Sequence, residues 1–281
     1  MIPMQSAVAH DLLSSPRHQR SHGQASVSLA QVDGAARLGR LRQVGSAKAI
    51  LPQVHAPVPE VVFLNTSGGL TGGDRLSYAL DLGPGTKAVA TTQTAERAYA
   101  AGPGQATVDV RFRVGARGHL DWLPQETILY NGASLARQTK VALAPGASCL
   151  LLEAVVLGRA AMGETVAQVM LSDRRIVRRD GRLIHLEPAN LTDAMLGARA
   201  ALLGPARAFA SIVAIGPDST DLLVPVRGVL DGADVVGGAS ALGERLSVRL
   251  MASDALALRR RLVVVLGVLR RGRPLPRVWQ I

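Results

Sequence analysis

The sequence predicts a mainly β chain, a solenoid-like stack of strands. Three observations support this. A glycine-led segment recurs about every 30 residues. Its copies are Gly85-Thr86-Lys87-Ala88-Val89-Ala90, Gly115-Ala116-Arg117-Gly118-His119-Leu120 and Gly146-Ala147-Ser148-Cys149-Leu150-Leu151. Before each copy runs an alternating polar and apolar segment (75–82, 107–114, 138–143), and after it an apolar one (87–92, 120–123, 149–156). Alternation marks a half-buried strand. The third observation is the stretch VVFLNTSGGLTGGDRL at 61–76, a strand that breaks into a double-glycine loop before the next strand. Repeats of this size suit units that bury their faces on one another, although a run of hairpins would give the same recurrence.

The elements follow in order. Residues 1–24 read as a flexible tail, with His10, His18 and His22 in a Ser/Gln/Arg-rich stretch that lacks apolar periodicity. Residues 25–281 read as one β-rich domain. A first strand starts at Ala25 with Val27 and Leu29, and a second, at 48–51, ends at Pro52. In the loop after Leu64, Gly68, Gly69, Gly72 and Gly73 bracket Leu70 and Thr71 and deliver Asp74. Glycine suits a backbone that needs positive φ or lacks room for a Cβ. A phosphate cradle would need a Lys-Ser or Lys-Thr pair and a helix after the glycines. Asp74 and a strand stand there instead, which also excludes a dinucleotide fingerprint. The loop therefore reads as a shaped turn.

Further along, 193–208 is Ala/Leu-rich but broken by Gly197, Gly204 and Pro205, so it reads as helix or as loop. Strands are expected at 209–215, 222–226 and 245–251. Ser253-Asp254 is a helix cap with a first-turn acid, and the helix should run to about Arg270 before Gly272 and Pro274. In the extended tail that follows, Trp279 reads as a docking side chain.

Composition excludes several classes. The longest apolar run near the end, 262–269, is far short of the roughly 20 residues that span a bilayer. Residues 1–9 have no basic segment, so no signal peptide is expected. A single cysteine, Cys149, permits no internal disulfide and fits a reducing cytoplasm. The net charge is +11, but the arginines are dispersed and aromatics make up only 3%, too few for base stacking. A basic surface that meets acidic protein partners fits better than nucleic acid. Gly-x-Ser-x-Gly is absent, as are His-x-x-x-His and Cys-x-x-Cys, and His119 and His185 lie within apolar strands. No catalytic set and no tightly bound cofactor are expected.

Acids fall at strand ends: Asp74, Glu96, Glu126, Glu153, Glu164 and Glu187. A buried acid is either paired or faces a polar passage. One reading pairs them with arginines such as Arg97 or Arg159; the other strings them along a water-filled path. A β-solenoid hydrolase that uses paired carboxylates is a rival from another class.

Six segments in order carry a family resemblance: SGGLTGGDRL at 67–76, TTQTAERAY at 91–99, WLPQETILYNGA at 122–133, LLEAVVLGRAAMGE at 151–164, RDGRLIHLE at 179–187 and PRVW at 276–279. With them the chain resembles the urease accessory protein family UreD (UreH in some bacteria). The resemblance implies a β-helix-like fold with few helices. About two are expected here, one of them near the C-terminus. It implies a non-enzymatic scaffold that works with UreF, the GTPase UreG and the urease apoprotein, and that helps pass nickel to the urease site. Asp74 and Glu187 match the family motifs best as members of a weak nickel path. Glu153 and Thr91 match more loosely. Oxygen ligands hold nickel weakly beside imidazole or thiolate, which suits transfer of a transient ion.

Overall fold

Parallel strands wind through this chain in four successive rungs, each laying one strand in each of two facing sheets. The computed structural model describes residues 19–53, 57–230, 232 and 234–280. His10 and His18 lie outside the described residues. The first element is a hairpin, β1 (His22–Val32) and β2 (Ala35–Gly45), and β1 begins upstream of the Ala25 start read from sequence. β3 (Ala47–Ile50) then pairs with β4 (Glu60–Asn65).

The rungs follow. β4 leads through the glycine loop to β5 (Arg75–Leu82). The second rung is β6 (Lys87–Thr92), the short β7 (Glu96–Ala98) and β8 (Ala106–Val114). The third is β9 (His119–Trp122), β10 (Thr127–Leu129) and β11 (Ala133–Leu143). The fourth is β12 (Ser148–Leu157) and β13 (Val169–Arg179). β5, β8, β11 and β13 are parallel neighbours in a seven-stranded sheet. β4, β6, β9 and β12 are parallel neighbours in a ten-stranded one. The 30-residue recurrence is therefore one solenoid turn.

The turns between the sheets stack as well. Thr86, Gly118 and Ala147 N–H groups donate to the carbonyls of Gly83, Gly115 and Ala144, at 3.1, 2.9 and 3.0 Å. The third residue of each turn has positive φ: Gly85 (68°), Arg117 (56°) and Gly146 (69°). With proline second in the outer two, these follow the type II pattern. The glycine loop forms another corner. Gly68, Gly69 and Gly73 have positive φ, and a Cβ on Gly72 would lie 2.8 Å from the Gly104 carbonyl. Leu70 bridges Ala98 there, so the loop is the structural turn read from sequence.

Beyond the rungs the chain turns antiparallel. β14 (Arg182–Thr192) folds back on β13, and α1 (Asp193–Gly197) and α2 (Arg199–Leu202) follow. β15 (Ala208–Ile215) pairs with β12. α3 (Leu223–Arg227), β16 (Val235–Leu242), β17 (Arg245–Ala252) and α4 (Ala255–Leu269) complete the fold. The strand expected at 222–226 is the helix α3; Pro225 has no N–H to give to a ladder. The 193–208 segment holds two one-turn helices, the first capped by the Thr192 hydroxyl, which accepts from Met195 N.

Two cores result. One lies between the sheets and includes Phe63, Leu80, Phe112 and Leu151; the other lies between the larger sheet and α4 and includes Ile212, Val248, Leu262 and Leu266. β12 faces both, so SCLLLEAVVL is almost uniformly apolar and buried. The outer strands β5, β8 and β11 alternate because one of their faces is wet.

Candidate functional site

The interior between the sheets changes character from rung to rung. Along the seven-stranded sheet, one inward ladder runs Leu76, Val108, Arg137, Asp173, Ala189; the next runs Tyr78, Val110, Thr139, Arg175, Glu187. The first rungs are apolar and the last are charged. Opposite them, Glu153 projects from β12 and Glu96 from β7.

Arg137 is the hub. Its guanidinium lies 2.7 Å from Asp173 and 2.8 Å from Glu153, and it donates to the Thr127 hydroxyl at 3.0 Å. Arg137, Asp173 and Glu153 side chains are all at most 8% exposed. Burial works against the charge on Arg137, but Asp173 and Glu153 hold it protonated. Burial pushes the Glu153 carboxyl up, against the pull of Arg137. Burial also pushes Glu96 up, to about 7, although Asn65 donates to its carboxylate.

At the far end Glu187 sits among Arg175, Arg249 (3.1 Å), His185 (3.5 Å) and the donating Ser211 hydroxyl (2.7 Å). Burial alone would raise its pKa, yet His185, Arg175, Ser211 and Arg249 together hold it well below the usual carboxylate range. A cavity of about 440 Å³ is lined here by Glu153, Asp173, Arg175, Glu187, Ser211 and Arg249. A second void, about 40 Å³, lies beyond Glu153 against Arg137, Glu96, Thr92 and Gln125. Glu153 lines both. Among the described residues, Asp173 Oδ1, Thr139 Oγ1 and His185 Nδ1 are buried without a hydrogen-bond partner, while Glu153 Oε2 has its ion-pair contact with Arg137 and His185 Nε2 its contact with Glu187.

The structure brings two of the four sequence-derived candidates, Glu153 and Glu187, to one cavity. It places the other two elsewhere. Asp74 is locked by backbone, accepting from Ser21 N at 2.7 Å and Thr71 N at 2.8 Å. Thr91 donates to the Leu123 carbonyl at 2.6 Å, and it shares its side of β6 with Val89, which belongs to the core under α4. Its neighbour Thr92 faces the inner void. Glu153 pairs with Arg137 rather than Arg97 or Arg159; Arg159 pairs with Glu164. Arg137, Asp173 and Arg175 escaped the sequence reading, though strand phase carries them. Arg137 is in step with Leu135 and Val141, and Asp173 and Arg175 are in step with Leu171 and Val177. Among the described residues no three His, Cys, Asp or Glu side chains converge as a metal centre.

A sequence model described as the UreD urease accessory protein matches residues 21–280. The chain belongs to the UreD family. Its similarity to curated UreD proteins runs end to end. It is 57% identical over 272 residues to the Urease accessory protein UreD of Cereibacter sphaeroides, covering 95% of this chain and 98% of that one. The UreD protein of Paracoccus denitrificans is 54% identical over 273 residues, 96% of each chain. That of Rhizobium etli is 46% identical over 267 residues, 94% of this chain and 97% of its own. The β-helix-like expectation attached to UreD agrees with the observed rungs, and α4 is the expected helix near the C-terminus.

Proposed function

We propose that this UreD protein is a cytoplasmic urease maturation scaffold that assembles with UreF, the GTPase UreG and the urease apoprotein. In this reading nickel is a transient cargo that crosses the chain through the charged interior, past Glu187, Glu153 and Glu96. The observation that carries it is the pair of voids that share Glu153, one walled by Glu187 and by Asp173, whose Oδ1 is buried and unpartnered, the other by Glu96. Buried polar atoms without partners are costly unless water or an ion meets them. Three carboxylates, Glu153, Asp173 and Glu187, face the guanidiniums of Arg137, Arg175 and Arg249, and Glu96 adds a negative charge only as pH rises through about 7. A divalent ion can enter such a line, but it must displace a guanidinium at each carboxylate, so no site holds it long. His185 adds one stronger nitrogen ligand type beside Glu187. Asp74 and Thr91 act in this reading as structural residues, because their oxygens are committed to backbone.

The test is urease activation in cells that co-express the partners with Glu153→Gln and Glu187→Gln variants. The expected outcome is a recovered partner complex with several-fold lower nickel content in urease. A double variant that assembles and activates urease fully would overturn the nickel path while leaving the scaffold role standing. The hydrolase reading gains no support, since Glu153 and Asp173 share one arginine and neither is free to act as an isolated acid or base.

A further inference from the structure

Among the described residues, four non-glycine residues have a left-handed backbone: Asp33, Arg117, Asp180 and Arg271. The two aspartates head Asp-Gly hairpin turns, where that conformation is demanded and tolerated. The two arginines stand where a turn and a helix end demand the conformation but glycine ordinarily supplies it. Arg117 occupies the third position of its turn, where the stacked turns above and below carry Gly85 and Gly146. Arg271 follows the C-cap of α4, a position that glycine normally fills. Strain of this kind in an observed residue points toward function.

Both arginines line the same cavity, about 420 Å³, which shares no lining residue with the two voids of the charged interior. Lys87 and Arg273 line it too, and Ser148 and His119 form part of its wall. The imidazole is fixed there, with Nδ1 2.7 Å from the Ser148 hydroxyl and Nε2 2.7 Å from Asp121. Asp121 is already held by Arg270 at 3.0 Å, with Arg273 at 3.7 Å, and Arg271 reaches Asp218 only at 4.0 Å. Among the described residues Lys87 and Arg117 have no side-chain partner. Five cations, Lys87, Arg117, Arg270, Arg271 and Arg273, thus meet two carboxylates, Asp121 and Asp218, and the positive excess is enough to balance a phosphate dianion. Guanidinium forks match phosphate oxygens in pairs, and the volume suits a small molecule.

We propose that this cavity binds a small ligand bearing a phosphate or diphosphate group, clamped between Arg117 and Arg271 with Lys87 and Arg273 in support. The site is separate from the proposed nickel path and does not depend on it.

The test is calorimetric titration of the full-length chain with pyrophosphate, inorganic phosphate and citrate, repeated on Arg117→Gly and Arg271→Gly. Each variant restores the residue type its backbone prefers, so each should melt about 1–3 °C higher than the parent. Expected is saturable binding of pyrophosphate below about 1 mM, weaker binding of phosphate, and a loss of tenfold or more in either variant. The proposal is overturned if the parent does not bind pyrophosphate or if the variants bind it unchanged. Citrate bound as tightly as pyrophosphate would overturn the phosphate assignment.

Discussion

Glu96 and Glu187 are carboxylates shifted in opposite directions by the same interior. For Glu96, the folded chain keeps its proton up to about pH 7, whereas the unfolded chain releases it near 4.5. Stability must fall as pH rises across that window, by up to about 3 kcal/mol. Glu96→Gln removes this loss. Urea unfolding should show the variant more stable than the parent at pH 8 and within about 0.5 kcal/mol of it at pH 5. Glu187 has the reverse sign. Its depressed pKa adds stability above the ordinary carboxylate range, and this is lost as pH falls through the folded value. Glu187→Gln strips the partner from Arg175, itself only 3% exposed, and should cost about 3–5 kcal/mol. The activation assay on that variant therefore needs the recovered complex as its control. At Asp74 the expectation is also structural: Asp74→Ala leaves two backbone N–H groups without acceptors, about 1–3 kcal/mol each. The acids themselves were visible in the sequence. Their partners were not, because pairing depends on which rung stacks on which.

At the scale of elements, α4 behaves as the sequence implies, whereas the tail expected to be extended closes into a 3-10 turn at Arg277–Trp279, with Trp279 N donating to the Pro276 carbonyl at 2.9 Å. Asp254 caps the helix by accepting from Ala257 N at 2.8 Å, and Leu258, Leu262, Val265, Leu266 and Leu269 form its buried stripe. Trp279 docks: its indole N–H donates to the Leu123 carbonyl at 3.0 Å, and Arg259 lies over the ring at 4.9 Å. Trp279→Ala should destabilise the chain by about 3–5 kcal/mol in denaturant unfolding. The segment 222–226 shows the limit of pattern reading. Its apolar residues suit a strand, but Pro225 and the packing of Val226 beneath α4 make it a helical turn. β2 escaped for a different reason. It is exposed along nearly its whole length, so no burial stamps a period on AARLGRLRQVG.

As a whole, the molecule is a two-sheet solenoid with a helical layer on one sheet. Its net charge of +11 and its arginine-bearing β2 edge suit association with acidic partner surfaces. A tagged copy co-expressed with UreF, UreG and apo-urease should recover a stoichiometric complex, and recovery should fall between about 0.1 M and 1 M salt. Clean chain with no partner bound would contradict the scaffold role.

The sequence by itself determined the rung period, the strand alternation, the glycine corner, the capped C-terminal helix and the family. Each of these is written in local spacing, where i to i+2, i to i+4 and i to i+30 relations survive without knowledge of neighbours. Only the tertiary structure decided that Arg137 would hold Glu153 and Asp173, that Thr92 rather than Thr91 would face the interior, and that Arg117 and Arg271 would meet at one cavity. Those facts depend on how segments about 16 to 150 residues apart stack, and within the sheets on strand register. A shift of one residue there turns every side chain to the opposite face.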